Sequence, residues 1–449
     1  MADSKFKAVV LENGTVVTAG NGEKFTIESF LGAGGQGSVY RVRNSRGEPF
    51  ALKWYHKAKF LDQINAQAFY RNLSKNVQRG VPSQSSGTKA TQFIWPLSII
   101  PPQNGSFGYI MRLFPEGYDA LERVLLGYSM DKNTGQKRSI RWRSYQVMLN
   151  AALNIVRGFE ILHSQGLSYQ DINEGGFSIN TSTGDVFICD CDNVSPDKSN
   201  MGIRGVMNYM APEVLNNQAL PDVRTDEYSL AIILFRIFYI NHPMEGTLSV
   251  SIRSDENYSR READMRIYGD PKYCLNPQNT INKPAAKHSD VRKRCVYFPN
   301  VLLDAFSQVF TAGIKDPQKR LTATQWRKVL LQVLDLLVFE GKEKFYFTPA
   351  QQPLPPLARQ LIYPNGHRVL LMPGKLLYAC HFDEFLRDYQ TPKAKVTQLK
   401  EGVLCLYNAS GASIQGAYKG SQRSFAEKQY IPLLPGMTLQ LGTAHVQVK

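Results

Sequence analysis

Leu31-Gly32-Ala33-Gly34-Gly35-Gln36-Gly37-Ser38-Val39-Tyr40 places glycines in the order Gly-x-Gly-x-x-Gly, and the residues on its C-terminal side decide the fold. A dinucleotide-binding fold uses the same three glycines, but there they must open a helix. Here Ser38–Val42 is β-rich and runs through the turn at 44–49 into a second strand, Phe50–Tyr55. That pattern predicts a hairpin folded over a triphosphate from above. A Walker loop is excluded, because Gly37 is followed by Ser38 and not by Lys with Ser or Thr. Sixteen residues beyond Gly37, Lys53 in Ala51-Leu52-Lys53 stands where a strand lysine reaches the α- and β-phosphates beneath such a lid. Alone it would read as a snorkelling strand lysine; beside the glycine loop it reads as a phosphate clamp.

On either side of this hairpin, the runs Val16-Val17 and Lys24–Glu28 precede it, and Phe93–Leu97 and Tyr109–Leu113 come after it, which predicts an antiparallel sheet. The polar segment Asp62–Val77 has helical spacing, so one helix is expected beside these strands. The pattern then changes: Met148, Ala152, Ile155, Phe159 and Leu162 fall at spacings of 4, 3, 4 and 3 on one helical face. Further helices are expected at Asp226–Ile240 and Thr322–Phe339, and 245–300 reads as a docking insert or a solvent-facing excursion. A Pro-rich connector from Thr348 separates a tail of β-type runs at Arg368–Met372, Lys375–Phe382, Gly402–Asn408 and Met437–Val448. The expected fold class is α+β. Its parts are a β-rich lobe (1–115), a helical lobe (116–347), a linker (348–358) and a small all-β, sandwich-like domain (359–449).

Composition limits the alternatives. The chain has 449 residues, 43% of them apolar, enough for two or three domains with real cores and too many for a disordered chain. Tyr228–Ile240, the longest strongly apolar stretch, has thirteen residues and contains Arg236, short of the roughly 20 that a membrane span needs. The N-terminus shows no secretory leader, so a cytoplasmic location is expected. Six dispersed cysteines with no CxxC pair signal reduced thiols, and seven dispersed histidines signal no transition-metal site. Lys plus Arg exceed Asp plus Glu by 53 to 38, a net charge of +15, with basic runs at Lys137–Arg143 and Arg292–Arg294. No nucleic-acid motif accompanies them, so a solvated basic face is expected over a nucleic-acid partner.

Two later segments carry acids. Leu167-Ser168-Tyr169-Gln170-Asp171-Ile172-Asn173 comes after the helix that ends near His163, and Cys189-Asp190-Cys191-Asp192-Asn193 comes after one predicted hairpin. Phosphoryl transfer needs one carboxylate to accept the proton of an attacking hydroxyl and another to hold Mg²⁺ against the phosphate oxygens. Asp171 suits the first task and Asp190 the second.

These motifs, with Ala211-Pro212-Glu213, Asp226 in Thr225-Asp226-Glu227-Tyr228, and Arg320 in Asp316-Pro-Gln-Lys-Arg320, resemble in content and order a bacterial eukaryotic-type (Hanks-type) Ser/Thr protein kinase over residues 25–335. The wording of the glycine loop and of Cys189–Val194 is similar to the subgroup found with a PP2C-type phosphatase and von Willebrand A-type proteins. The resemblance implies a bilobal kinase fold binding ATP and Mg²⁺, with Mn²⁺ as an alternative ion. It implies nucleotide contacts at Gly32, Gly34, Gly37, Val39 and Lys53, a gatekeeper at Met111 and a hinge from Arg112 to Phe114. Catalytic work falls to Asp171, Lys53 and Asn173, metal binding to Asp190 and Asp192. Glu213 and Arg320 are expected to pair, and Asp226 to anchor the catalytic loop.

The chain also departs from the family. Its His-Arg-Asp is Tyr169-Gln170-Asp171, which removes the usual partner of a phosphorylated activation loop. The γ-phosphate Lys is Asn173, and the metal-binding Asn is Gly176, which has no ligand atom. Asn173 or Asp192 are candidates to supply that oxygen; alternatively, Asp192 and Asn193 merely shape a turn. No glutamate lies between Glu48 and Glu116, so the family's Lys–Glu pair is impossible with the expected helix. Gln67, Gln63 and Asp62 are the candidate replacements.

A protein kinase, itself among its substrates, is therefore expected, and its alternative is a nucleotide-binding pseudokinase scaffold acting through its basic face and C-terminal domain. That domain faintly resembles a forkhead-associated sandwich at Leu406–Gly411 and Leu434–Gly442. It lacks the paired elements of a phosphothreonine reader, so it is expected to serve structure or partner docking. Protein substrates and a phosphatase or von Willebrand A-type partner are implied, and no membrane contact.

Overall fold

The computed structural model describes residues 11–83, 92–131, 134–278, 281–295, 297–340, 344–347, 358–383, 391–399 and 402–449. The expected linker at 348–358 lies outside these residues except for Ala358. The fold is α+β, with a β-rich N-terminal region, a helical lobe and a C-terminal all-β region.

The N-terminal sheet has six antiparallel strands in the order β1 (Val16–Thr18), β2 (Lys24–Ala33), β3 (Gly37–Asn44), β4 (Pro49–Tyr55), β6 (Ser106–Arg112) and β5 (Ser98–Gln103). The sequence places a strand at 93–97 instead of 98–103, a few residues too early. The observed strand contains Pro101 and Pro102, which a sheet tolerates at an edge, where β5 lies. Alternation assigns the two faces. Tyr40, Val42, Leu52, Trp54 and Ile110 pack on one side, while Ala51, Tyr55, Phe107, Tyr109 and Met111 pack on the other with helix α1 (Ala66–Arg79). Asn65 caps α1 by accepting the amide of Ala68, and Gly80 ends it at φ 72°.

The helical lobe is built around two helices, Tyr145–Ser164 and Val223–Tyr239. Ser144 caps the first and Asp222 the second, the latter in a reciprocal capping box with Thr225. The stretch Tyr228–Tyr239 is apolar because it is buried almost all round at the centre of the lobe. No helix among the described residues is long and apolar enough to cross a membrane. The region 245–300 carries the helices Thr247–Ser254, Arg260–Gly269 and Ser289–Arg294. The basic runs are partly used internally: Arg138 pairs with Asp119, Lys137 lies over the Tyr128 ring, and Arg294 donates to the Phe238 carbonyl.

The helix expected at Thr322–Phe339 stops at Asp335, because Leu337–Glu340 leaves it to pair antiparallel with Lys344–Phe347. Beyond it stand a six-stranded sheet, in the order Arg368–Leu371, Arg359–Ile362, Ala444–Val448, Thr438–Leu441, Ile414–Tyr418 and Ser421–Phe425, and a four-stranded sheet. The second sheet holds Leu376–Tyr378, Pro392–Gln398, Leu404–Asn408 and Tyr430–Pro432, and a single apolar core joins the two.

This β region meets the helical lobe around one buried carboxylate. Asp335, the last residue of its helix, meets His367 Nε2 at 2.5 Å and His381 Nε2 at 2.6 Å. The Lys375 ammonium donates to the neighbouring Leu334 carbonyl at 2.6 Å. The Tyr378 amide donates to His381 Nδ1 at 2.9 Å, so the imidazole proton facing Asp335 is on Nε2. Burial opposes the charge on Asp335, yet His381, His367 and Lys375 hold its carboxyl far below the usual range. Tyr378 itself packs into the lobe's core and contacts Gln146.

Candidate active site

The glycine hairpin closes tightly at its base. Gly34 donates its amide to the Gly37 carbonyl at 2.8 Å. A Cβ on Gly37 would sit 2.5 Å from the Trp54 carbonyl, so only glycine fits where β3 crosses β4. Gly32, Gly34 and Gly35 face open space. Register places Val39 opposite Lys53 and Lys53 opposite Tyr109, so these three share the sheet face that looks into the cleft. Met111 lies further along the same face at 7% exposure, Arg112 donates to the Phe93 carbonyl, and Phe114 is exposed, edge-on to Phe187.

Lys53 is buried and densely bonded. Its ammonium lies 2.9 Å from Asp192 Oδ2, 3.0 Å from Asp190 Oδ1 and 2.9 Å from Gln36 Oε1 of the hairpin. Burial opposes the charge, but the two carboxylates outweigh it and hold the ammonium protonated above the ordinary range. No hydrogen bond joins Lys53 to Asp62, Gln63 or Gln67 among the described residues, and Gln63 and Gln67 are exposed.

The two neighbouring aspartates differ. Asp190 has a left-handed backbone (φ 46°), uncommon outside glycine, and keeps its side chain 45% exposed in the cleft. Asp192 is fully buried and also accepts the hydroxyls of Tyr55 at 2.6 Å and Tyr109 at 3.2 Å. Gln36 reaches Asn193 Oδ1 at 3.3 Å, which ties the hairpin to the same segment.

Across the cleft, Asp226 holds the loop that carries Asp171. Its carboxylate accepts the amides of Tyr169 at 2.6 Å and Gln170 at 2.9 Å. Gln170 is itself left-handed (φ 70°), and its side chain bonds the Ser199 carbonyl and, at 3.0 Å, the Asn200 amide. A neutral network thus stands where the family's Arg would meet a phosphorylated loop. Asn173 donates to Asp171 Oδ1 at 3.0 Å. Burial first, and then the charge of Asp190, push the Asp171 carboxyl up to about 7. A raised carboxyl is suited to proton acceptance near neutral pH.

Gly176 has a structural cause that sequence alone does not reveal. A Cβ there would lie 2.8 Å from the Tyr169 hydroxyl, which donates to the Cys189 carbonyl. Tyr169 therefore occupies the space that a side chain at 176 would need. Along the chain Tyr169 and Gly176 are two separate departures from the family pattern; in the fold they are one.

The expected partners at the end of this region do meet. Arg320, its side chain wholly buried, grips Glu213 with both terminal nitrogens at 2.6 and 2.9 Å.

Among the described residues no three or more His, Cys, Asp or Glu side chains cluster as a metal cage. An exposed Asp190 beside a second acid fits instead a hard cation that takes most of its oxygens from phosphate and water.

The protein kinase domain family matches residues 124–329. Lys53 and the glycine hairpin precede that stretch. The chain is also similar to the leucine-rich repeat serine/threonine-protein kinase 1 of Mus musculus, 24% identical over 234 residues, covering 49% of this chain and 11% of the length of that relative. The stretch that is similar to protein kinase domains thus lies in the helical lobe, and the chain spans about a tenth of the length of that relative.

Proposed function

We propose that the chain is an ATP- and Mg²⁺-dependent protein kinase, with Mn²⁺ an alternative ion, that transfers the γ-phosphoryl group to Ser or Thr hydroxyls of proteins, itself included. The observation that carries this reading is the meeting of Lys53, Asp190 and Asp171 in one cleft under the glycine hairpin.

In this reading, Gly32, Gly34 and Gly37 bring backbone amides over the triphosphate, Val39 covers the adenine, and Met111, Arg112 and Phe114 border the adenine pocket. Lys53 holds the α- and β-phosphates. Asp171 orients the acceptor hydroxyl and takes its proton as the oxygen bonds to the γ-phosphorus and the bond to the bridging oxygen breaks, releasing ADP. Asn173, which fixes Asp171, replaces a positive charge with a neutral donor, so some transition-state stabilisation is forgone. Asp190 holds the cation, which when bound neutralises phosphate charge.

The pseudokinase alternative is motivated by Gly176 and the missing helix glutamate. The retained Lys53, Asp171 and Asp190, with the kinase-domain match, favour the enzyme. A cytoplasmic location, a phosphatase or von Willebrand A-type partner and a docking role for the forkhead-associated-like sandwich complete the proposal. The two-sheet form and shared core of that domain support the sandwich reading. Incubation with γ-labelled ATP, a generic basic protein and Mg²⁺ or Mn²⁺ tests the activity. Label on serine or threonine supports it, and nucleotide binding without label returns the scaffold reading.

A further inference from the structure

We infer that Asp192, held by Tyr55 and Tyr109, is the residue that positions Lys53, and that helix α1 supplies no part of that anchor. The inference rests on Lys53 acting as the phosphate clamp of the proposed kinase.

A lysine that clamps phosphate must be held by an anion that stays in place when the phosphates arrive. Lys53 meets two carboxylates, but they are not equivalent. Asp190 is 45% exposed at the cleft surface, open to other ligands. Asp192 is fully buried, and its oxygens are committed to Lys53 at 2.9 and 3.2 Å and to the hydroxyls of Tyr55 and Tyr109 at 2.6 and 3.2 Å. Tyr55 lies on β4 two residues beyond Lys53, and Tyr109 on β6 directly opposite Lys53. The lysine and both hydroxyl donors therefore ride on adjacent strands of one rigid sheet. A buried carboxylate with three such donors has its desolvation offset and is fixed in direction.

The usual place for this anion is the helix beside the sheet, and α1 has no glutamate to offer. What α1 presents toward the site is neutral: Asn72 and Asn76 each donate to the Val194 carbonyl at 2.7 Å. The helix thus steadies the segment 190–194, and its Phe69 packs edge-on against the Tyr55 ring, but among the described residues it gives Lys53 no hydrogen bond. The anchor of the clamp and the exposed Asp190 belong to one short stretch of chain, so a displacement of that stretch disturbs both together.

The test compares Asp192→Asn, the double variant Tyr55→Phe/Tyr109→Phe and Gln67→Ala in the full chain. Affinity for a fluorescent ATP analogue is measured in EDTA and with Mg²⁺, beside thermal melting and, where transfer occurs, kcat and KM for ATP. We expect Asp192→Asn to weaken binding of the analogue by about tenfold or more in EDTA, the loss of a charge-assisted contact. The tyrosine pair should shift the same way by less, with folding kept, and Gln67→Ala should match the unaltered chain. Wild-type affinity in the folded Asp192→Asn protein overturns the inference. If that variant does not fold, wild-type affinity in the tyrosine pair overturns it, and weakened affinity supports it. A chain with no transferase activity defeats the kinase reading alone, since the EDTA titration reads the anchor without turnover.

Discussion

The guanidinium of Arg320 is wholly buried and forked onto the carboxylate of Glu213, 107 residues earlier in the chain, and it also donates to the carbonyls of Gly313 and Arg224. Removing one partner of such a pair strands the other charge away from water. Glu213→Gln is therefore expected to cost about 3–5 kcal/mol. Denaturant unfolding of the variant beside the native chain measures it, and a change within about 0.5 kcal/mol would show that water reaches Arg320.

Gly176 and Tyr169 should respond as a unit. Gly176→Asn restores a ligand atom by chemistry yet drives its Cβ against the Tyr169 hydroxyl. The expected result is lower stability by about 1–3 kcal/mol and no gain in metal-dependent activity. In a Tyr169→Phe background, where the obstructing hydroxyl is gone, Gly176→Asn should cost less than it does in the native chain. A fully stable, more active single variant would contradict this coupling.

The docking of the β region should have an alkaline signature. Burial pulls the Lys375 ammonium down to about 8, against Asp335, which opposes it. Its folded pKa lies below the unfolded one, near 10.5, so between these values the unfolded chain binds more protons and stability rises with pH. The contribution is lost as pH falls through about 8. His381, raised above its ordinary value on the same carboxylate, gives the opposite slope over this range, so the Lys375 contribution is read by difference: the melting temperature of the native chain minus that of Lys375→Met should grow from pH 8 to pH 10, and a constant difference would contradict it.

Asp335 tests the same junction from the other side. Asp335→Ala removes the shared partner of His367 and His381, so the β region should loosen from the helical lobe and the junction should be cut faster under limited proteolysis. Unchanged cleavage would show that the apolar contacts of Tyr378 suffice.

Much of this is legible in the sequence because it is local. The glycine spacing, Lys53 and the strand between them are fixed by short-range periodicity, and the long apolar helices by a 3.6-residue face. The features that are not legible depend on pairing across space. The edge strand at Ser98–Gln103 is hidden by Pro101 and Pro102, and the turn from helix to strand after Asp335 depends on a partner at Lys344–Phe347. The absence of a glutamate for Lys53 can be read directly, but its consequence cannot. Sequence order puts Asp190 and Asp192 two residues apart, and only the fold turns one to the cleft and the other to Lys53, Tyr55 and Tyr109.

The proposed kinase stands or falls on phosphate transfer in this cleft with Asp171 as the proton acceptor. The decisive experiment is γ-phosphoryl transfer from labelled ATP, with Mg²⁺ or with EDTA, by the full chain and by Asp171→Asn, alongside nucleotide affinity for each. Metal-dependent labelling is expected, falling at least about a hundredfold in the variant while nucleotide affinity is retained. Equal labelling by Asp171→Asn, or binding of ATP by the full chain with no transfer in Mg²⁺, would contradict it.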